Sequence, residues 1–332
     1  MKRVKIISSG MYVPKNKMTN EDLEKIIGQD INKYVSNKIG IRERYFANVE
    51  ETSASMAVEA AKNALKKVNW SPDELDLIIV STDTPEYLSP STAAKVQYLL
   101  GAKNAGFFDI NSACSGFVIA LDVASKHIII DNNINKVLII GTYNMSKFID
   151  WKDKKTASIF ADGAAAFLLE GVAYNGHYGR LSSKYLGKGE YYDYMGIYAG
   201  GTSQLVTKEI LDDPNSTYKV RFVKKFGPEI NIEFWPKLIN EALKEANINK
   251  NQVKHYFFTQ INYNAIRIVM NELNEPFEKA TTIMDKYGYT GSACIPMAFD
   301  EYSRKNSLNE NDIYVFCASG GGLSMCVFVY KH

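Results

Sequence analysis

Asp109-Ile110-Asn111-Ser112-Ala113-Cys114-Ser115-Gly116-Phe117 joins a strand-like segment to a helix-like one. Residues 106–110 (Gly-Phe-Phe-Asp-Ile) predict a buried strand, and residues 117–130 carry apolar side chains at helical spacing. We therefore expect Cys114 to open a helix, where free N–H groups and the helix dipole lower the pKa of a thiol. Small neighbours leave room for an acyl group, so the pattern indicates a nucleophile. An ordinary buried cysteine would give the same local pattern.

The composition is that of a globular chain with a substantial core. It has 332 residues, 46% hydrophobic and 23% charged, with a formal net charge of +2. This near-neutral balance, without a long basic run, gives no support for a nucleic-acid partner. The four cysteines, which are Cys114, Cys294, Cys317 and Cys326, show no CxxC spacing. We expect neither a metal site nor a disulfide framework.

The beginning of the chain predicts a cytoplasmic protein. Residues 1–7 become polar too early for a signal peptide. No apolar run is expected to approach the length of a membrane span, so we expect no membrane association.

A helix, a turn and a strand recur in the second half of the chain. The apolar stripe of residues 56–68 returns at 234–246, an offset of 178 positions. The strand-like segments 77–80 and 137–140 correspond to 256–258 and 313–316. Any two amphipathic helices carry an apolar stripe of this kind. Such a chance likeness does not explain why the helix, the turn and the strand all recur at nearly the same sequence offset. We infer two copies of one α/β unit, residues 1–172 and 215–332.

The segment between the copies, residues 173–214, is rich in tyrosine and glycine. Aromatic side chains carry apolar area that favours burial, so we expect a structured insertion over a pocket rather than a flexible linker. A contact between two copies of the chain is the competing explanation.

Four motifs in this order resemble the thiolase superfamily, and most closely its β-ketoacyl-acyl-carrier-protein synthase III family. They are residues 109–117, 160–166 (Phe-Ala-Asp-Gly-Ala-Ala-Ala), 285–296 and 319–322 (Ser-Gly-Gly-Gly). The resemblance implies an α/β thiolase-like five-layer αβαβα fold made of two duplicated halves, and a homodimer without a tightly bound cofactor. It also implies that acyl-CoA or an acyl carrier protein, as a phosphopantetheine thioester, acylates Cys114. The oxyanion would be held by the backbone N–H groups of Cys114 and Gly321.

Two positions depart from the pattern of that family. Its His-Gln-Ala-Asn motif stands here as Thr259-Gln260-Ile261-Asn262, and its Gly-Asn-Thr motif as Gly288-Tyr289-Thr290. The family's His and Asn stabilise the enolate formed when a malonyl thioester loses CO2, and losing one such donor costs on the order of 2.7–4 kcal/mol. Thr259 and Tyr289 can donate hydrogen bonds, but neither is a base near neutral pH. Among the histidines, His177 is the candidate to test as a general base.

The resemblance also indicates how the thioester is bound. It assigns Tyr34, Lys38, Lys154 and Asn262 to the CoA or phosphopantetheine thioester, with an aromatic stack and two phosphate-facing cations. On the helix that docks the acidic carrier protein, the positions expected to be basic are Asn264, Asn271 and Glu272. Opposite charge steers such encounters, so the donor stays open between CoA and carrier protein.

These observations predict an acyltransferase in fatty-acid-like or secondary metabolism. Cys114 would take an acyl group and pass it to an acceptor by condensation or acyl transfer. The alternatives are a catalytically impaired partner subunit of a condensing enzyme and a thioester hydrolase.

Overall fold

The computed structural model describes residues 2–173, 176, 178–227 and 230–332. His177 therefore lies outside the described residues, and its assignment as a candidate base stays a prediction.

Strands make up two main sheets and two small ribbons. The strands of the described residues are β1 (Lys2–Tyr12), β2 (Asn16–Thr19), β3 (Glu43–Phe46), β4 (Leu77–Ser81), β5 (Gly106–Ile110), β6 (Lys136–Asn144), β7 (Asp162–Ala173), β8 (Gly179–Tyr191), β9 (Met195–Gly196), β10 (Arg221–Phe222), β11 (Val253–Phe258), β12 (Ile313–Gly320) and β13 (Gly322–Lys331). β2 pairs with β3 and β9 with β10 as the two ribbons.

Helices lie between and outside the sheets. The α-helices of the described residues are α1 (Asn20–Ile27), α2 (Asn32–Tyr34), α3 (Ser53–Val68), α4 (Thr92–Leu100), α5 (Gly116–Ile130), α6 (Lys154–Ala157), α7 (Lys208–Asp212), α8 (Ile230–Glu245), α9 (Tyr263–Glu272), α10 (Met284–Tyr287) and α11 (Cys294–Ser303). Short 3₁₀ turns and one π-helical turn, Val35–Ile39, complete the helical segments.

The two main sheets share one strand order. The first is β1-β7-β6-β4-β5, in which β1/β7 and β7/β6 are antiparallel and β6/β4 and β4/β5 are parallel. The second is β8-β13-β12-β11, with antiparallel β8/β13 and β13/β12 and parallel β12/β11. The strands predicted to correspond, β4 with β11 and β6 with β12, occupy equivalent places. This repeated topology supports the inferred duplication.

Five layers follow from the packing of the helices. α3 and α4 cover the outer face of the first sheet, and α8 covers the outer face of the second, with α9 packed against α8. α5 and α11 lie between the sheets and contact strands of both. The arrangement is the layered α/β order that the resemblance implies.

The core of the first sheet shows why these strands form. In β4, Ile78 and Val80 pack with α3, whereas Ile79 packs on the opposite face with Phe117 and Val118 of α5. Side chains alternate between the two faces of a strand, so a central strand covered on both faces is apolar throughout. The unbroken run Leu-Ile-Ile-Val therefore specifies a strand between two helical layers.

Two sequence predictions about β5 and β8 need correction. β5 was expected to be buried, but it is the edge strand of the first sheet and Phe107 is 45% exposed. The segment 173–214 was expected to be an insertion, but β8, residues 179–191, pairs with β13 as a strand of the second sheet.

The prediction that no apolar run approaches the length of a membrane span is also wrong. The window Ala113–Ile130 has 18 residues and a mean hydropathy of 1.6. It coincides with α5, whose position between two sheets buries 61% of the window. A helix that is enclosed by protein is apolar on all sides, which explains the composition of this segment.

We predict that Gly10→Ala destabilises the protein by about 1–3 kcal/mol or more, because overpacking against backbone cannot be relieved by a rotamer change. A Cβ at Gly10 of β1 would lie 2.4 Å from the Ala64 nitrogen and 2.6 Å from the Ala60 oxygen of α3. Gly187→Ala is the control, since a Cβ there meets nothing within 4 Å. Denaturant unfolding measures both variants, and equal stabilities would contradict the close packing of β1 on α3.

Candidate active site

Cys114 lies in a tight turn between β5 and α5. The N–H of Ser115 donates to the oxygen of Ser112 at 3.2 Å, and the N–H of Gly116 donates to the oxygen of Ala113 at 3.1 Å. Ala113 has φ 45°, in the left-handed region that L-residues rarely adopt. Cys114 immediately precedes the N-cap residue of α5 and is 3% exposed. The strained turn fixes the thiol at the point where the chain enters the helix.

Three serines tie this turn to the second sheet. The Ser115 hydroxyl donates to the Ser112 oxygen at 2.7 Å, and the Ser112 hydroxyl donates to the Ser324 hydroxyl of β13 at 2.9 Å. The sequence identified Ser112 and Ser115 only as small neighbours of Cys114. Their hydroxyls hold the turn in register with β13, a long-range contact that local sequence does not reveal.

Gly320, the last residue of β12, approaches the same turn. A Cβ on Gly320 would lie 2.6 Å from the Ser112 oxygen and 2.9 Å from the Cys114 nitrogen. Only glycine allows this approach, and Gly321 follows it directly in the chain. Gly321 itself lies beside Met195 of β9. The geometry is consistent with the predicted pairing of the Cys114 and Gly321 N–H groups, which stays a prediction.

Tyr289 reaches Cys114 from the second half of the chain. Its backbone N–H donates to the backbone oxygen of Ile159 at 3.0 Å, and its backbone carbonyl oxygen accepts from the N–H of Ala161 at 2.9 Å. The ring packs beside Phe160, with centroids 5.9 Å apart. Tyr289 is 1% exposed, and its hydroxyl donates a hydrogen bond to the Cys114 sulfur. The structure therefore places this predicted site residue beside Cys114, the predicted nucleophile.

The electrostatics of the thiol differ from the sequence prediction. Burial raises the pKa of Cys114 well above its ordinary value, and the nearby Asp83 charge raises it further. The Tyr289 hydrogen bond acts in the opposite direction and lowers that pKa. Burial also raises the pKa of Tyr289. The expected lowering of the thiol pKa at the helix start is therefore wrong: desolvation dominates, and both groups are protonated at neutral pH.

Thr259 follows β11 and is engaged by the neighbouring strand. The N–H of Ser319 donates to the Thr259 hydroxyl oxygen at 2.9 Å, and the Thr259 N–H donates to the Cys317 oxygen at 3.1 Å. The side chain is 1% exposed. Its oxygen satisfies a buried backbone N–H at the end of β12. The structure thus shows Thr259 holding β12 in place, and the predicted catalytic role is untested.

The remainder of this motif supports the local backbone. The Gln260 amide donates to the oxygens of Phe258 and Thr281 and accepts from the Ile283 N–H. Asn262 is the N-cap of α9, where its Oδ1 accepts from the Ala265 N–H at 3.1 Å. Capping leaves the Asn262 amide nitrogen as the group that a thioester chain could use.

Two of the predicted thioester-binding residues lie together. The Lys38 ammonium is 6.0 Å from the centroid of the Tyr34 ring, and Tyr34 is 58% exposed. The Lys38 backbone oxygen accepts from the Asn264 amide at 2.8 Å, which attaches this segment to the start of α9 near Asn262. Lys154 is exposed on a separate segment, at the first residue of α6.

Two polar residues near Cys114 were not identified from the sequence. Asp83 follows β4, and Tyr143 lies near the end of β6. Charge on Asp83 influences the pKa of both Cys114 and Tyr143. Because β4, β5 and β6 are parallel neighbours, polar residues after each strand could have been expected to converge. Within the described part of the chain, no group of three His, Cys, Asp or Glu side chains is placed to hold a metal ion.

We predict that Thr259→Val destabilises the protein by about 1–3 kcal/mol, because the buried Ser319 N–H loses its acceptor. Thr259→Ser is the matched control, since it keeps the hydroxyl and should cost less. Denaturant unfolding compares the two. Equal losses would contradict a stabilising role for the hydrogen bond between the Thr259 hydroxyl and the Ser319 N–H.

Family models and relatives agree with this architecture. Residues 108–189 match 3-oxoacyl-[acyl-carrier-protein] synthase III, and residues 243–332 match its C-terminal family. The β-ketoacyl-[acyl-carrier-protein] synthase III of Aquifex aeolicus is 36% identical over 322 residues, covering 96% of both chains. That of Clostridium botulinum strain Kyoto is 36% identical over 332 residues, covering 98% of this chain and 97% of the relative.

Solved structures show the same fold. The Aquifex aeolicus 3-oxoacyl-[acyl-carrier-protein] synthase III has a TM-score of 0.87 at 33% identity, covering 99% of this chain and 100% of the other. The priming β-ketosynthase of the R1128 polyketide pathway shares the fold, with a TM-score of 0.88 at 24% identity and coverage of 99% and 96%. The chain belongs to the 3-oxoacyl-[acyl-carrier-protein] synthase III family and has its thiolase-like α/β fold.

Proposed function

We propose that the protein is an acyltransferase in which Cys114 takes an acyl group from acyl-CoA or an acyl carrier protein. The observation that carries this proposal is the strained turn at Cys114, against which Gly320 packs closely. A turn that fixes a buried thiol beside glycine backbone is suited to a tetrahedral oxyanion. Family membership supports a transferase of this type.

The first step is a transthioesterification. The Cys114 thiol loses its proton, and the sulfur attacks the carbonyl carbon of the incoming thioester. The Cys114 and Gly321 N–H groups would hold the oxyanion. The carbon–sulfur bond to CoA or phosphopantetheine then breaks, and the departing thiolate takes up the proton. Because burial raises the pKa of Cys114, the resting thiol carries its proton into this step.

The second step transfers the acyl group to an acceptor. We propose that Thr259 and Tyr289 stand where the family has its His and Asn. The Thr259 oxygen accepts from Ser319 N–H, and the Tyr289 hydroxyl donates to the Cys114 sulfur. Tyr289 is therefore the better placed of the two to donate to an acyl oxygen. Neither residue is a base near neutral pH, which favours an acceptor that arrives ready to react over decarboxylation of a malonyl thioester.

The thioester donor would bind at the exposed mouth of the site. Tyr34 and Lys38 lie together and offer an aromatic ring for stacking on the base of CoA and a cation for its phosphates. Asn262 and Lys154 are the further residues proposed for the chain and its phosphates. α9 presents Asn264, Asn271 and Glu272 where an acidic carrier protein would need cations, so CoA is the favoured donor.

A homodimer is proposed through the edge of the first sheet. Among the described residues β5 has no strand partner on its outer side, and the exposed apolar side chains of this region include Tyr87, Leu88, Tyr98 and Phe107. An exposed, apolar edge strand is normally covered, and two identical edges can pair about a twofold axis. Fatty-acid biosynthesis fits the family, while a role in secondary metabolism and a cytoplasmic location stay predictions.

A thioester hydrolase is the second candidate, because water could remove the acyl group in the absence of an efficient acceptor. A catalytically impaired partner subunit is the third. The preserved approach of Gly320 to the Cys114 turn argues against the partner-subunit role, since a scaffold needs no such site.

We predict that acyl-CoA adds one acyl mass to the intact protein and that Cys114→Ala abolishes the adduct. Intact-protein mass spectrometry with short and long acyl-CoA measures it. Cys326→Ala, a buried cysteine of β13, is the control and should still be acylated. An unmodified wild-type protein across all chain lengths would overturn the proposal. Continuous release of CoA without an acceptor would instead identify a hydrolase.

A further inference from the structure

Asp83 influences the pKa of Cys114, and both Asp83 and Cys114 influence the pKa of Tyr143, yet the steps proposed above use neither Asp83 nor Tyr143. Each has a buried side-chain oxygen without a hydrogen-bond partner among the described residues: Oδ1 of Asp83 and the hydroxyl of Tyr143. Buried polar atoms are normally paired, so two unpaired oxygens whose residues both interact electrostatically with Cys114 require an explanation.

Sheet topology brings these residues together with Cys114. Ser81 of β4 pairs with Ile110 of β5 on one side and with Gly141 of β6 on the other. Asp83 and Tyr143 each lie two residues beyond those paired positions, and Cys114 lies four beyond its own. Asp83, Tyr143 and Cys114 therefore lie at or just beyond the carboxyl-terminal ends of adjacent parallel strands. This is the side of an α/β sheet at which ligands bind.

The Tyr143 side chain is locked in position. It is fully buried, and a Cβ on Gly291 would lie 2.3 Å from its ring. The ring also neighbours those of Phe160 and Tyr289, with centroids 6.2 Å and 6.4 Å away. The hydroxyl cannot swing to another partner without displacing these groups. Burial, together with the Asp83 and Cys114 charges, raises the pKa of Tyr143, so the hydroxyl keeps its proton.

The backbone on both sides of Asp83 is also fixed. The Thr84 N–H donates to the Thr82 hydroxyl at 3.0 Å, and the Asn144 N–H donates to the Thr84 hydroxyl at 2.9 Å. The second bond attaches the Asp83 segment to the residue after Tyr143. Burial raises the pKa of Asp83 to about 6, which leaves its carboxyl mostly ionised at neutral pH and able to accept a hydrogen bond.

The two unpaired groups define the chemistry of a ligand. An ionised carboxylate only accepts hydrogen bonds, whereas the Tyr143 hydroxyl has a proton to donate. A hydroxyl group satisfies both, since it donates to Asp83 and accepts from Tyr143. A plain alkyl chain satisfies neither, and an ammonium group has no lone pair for the Tyr143 proton.

We propose that Asp83 and Tyr143 form a polar subsite of the acyl pocket that selects a hydroxylated acyl group. The inference rests on the proposed acylation of Cys114 and specifies its substrate class as hydroxyacyl thioesters. The subsite binds the acyl chain while the sulfur attacks the thioester, so it acts on selectivity and not on the bond-making step.

The test compares the rates at which butyryl-CoA, 3-hydroxybutyryl-CoA and 4-hydroxybutyryl-CoA acylate Cys114, followed by intact-protein mass. We expect one hydroxyacyl-CoA to react at least about tenfold faster than butyryl-CoA, since a site built to pair a hydroxyl disfavours an analogue without it. Tyr143→Phe and Asp83→Ala should each reduce that ratio toward one. Tyr256→Phe is the control: its buried hydroxyl also lacks a partner among the described residues, but it lies on β11.

The outcomes separate the two proposals. Acylation at equal rates by all three thioesters would overturn the polar subsite while leaving Cys114 acylation intact. Failure of every thioester to acylate Cys114 would overturn the proposed function itself. A hydroxyl preference that survives in folded Tyr143→Phe and Asp83→Ala proteins, checked by thermal melting, would overturn the assignment to these residues.

Discussion

The hydrogen bond from the Tyr289 hydroxyl to the Cys114 sulfur joins the two halves of the molecule at the reactive atom. Cys114 comes from the turn after β5, and Tyr289 from the segment after α10. Backbone hydrogen bonds to Ile159 and Ala161 hold Tyr289 beside Phe160, and Gly320 separately lets the second sheet approach the Cys114 turn. The α5 and α11 layer between two sheets of similar strand order is where these segments meet.

This arrangement changes how the nucleophile is activated. A thiol at an exposed helix start would be ionised by the helix dipole, but at Cys114 desolvation outweighs that effect and keeps the sulfur protonated. The hydrogen bond from Tyr289 is the interaction that favours the thiolate most directly. The Cys114 thiol is therefore protonated in the protein at rest.

The fold could be predicted from the sequence because its strongest signals are long and periodic. The helical stripe at 56–68 and its repeat at 234–246 became α3 and α8, and the unbroken apolar run of β4 became a central strand. β8 was assigned to an insertion because its pairing with β13 spans more than a hundred residues, which local pattern does not report.

The site was predictable only in part. Cys114, Tyr289 and the glycines after β12 were identified from motifs and do come together in the structure. Asp83 and Tyr143 were missed because neither belongs to a motif, and their proximity to Cys114 follows from the order of β4, β5 and β6. The predicted shift of the Cys114 pKa has the wrong direction. The helix start, which lowers a thiol pKa, is visible in the sequence, whereas the burial that raises this pKa is not.

The most direct test is the pKa of the Cys114 thiol in Tyr289→Phe, measured from the pH dependence of alkylation by iodoacetamide, with Cys114→Ala as the background. The Tyr289 hydrogen bond lowers the thiol pKa, so its loss should move the midpoint of the alkylation profile to higher pH and slow alkylation at neutral pH. A midpoint that is unchanged or lower in Tyr289→Phe would contradict the central role assigned to this hydrogen bond.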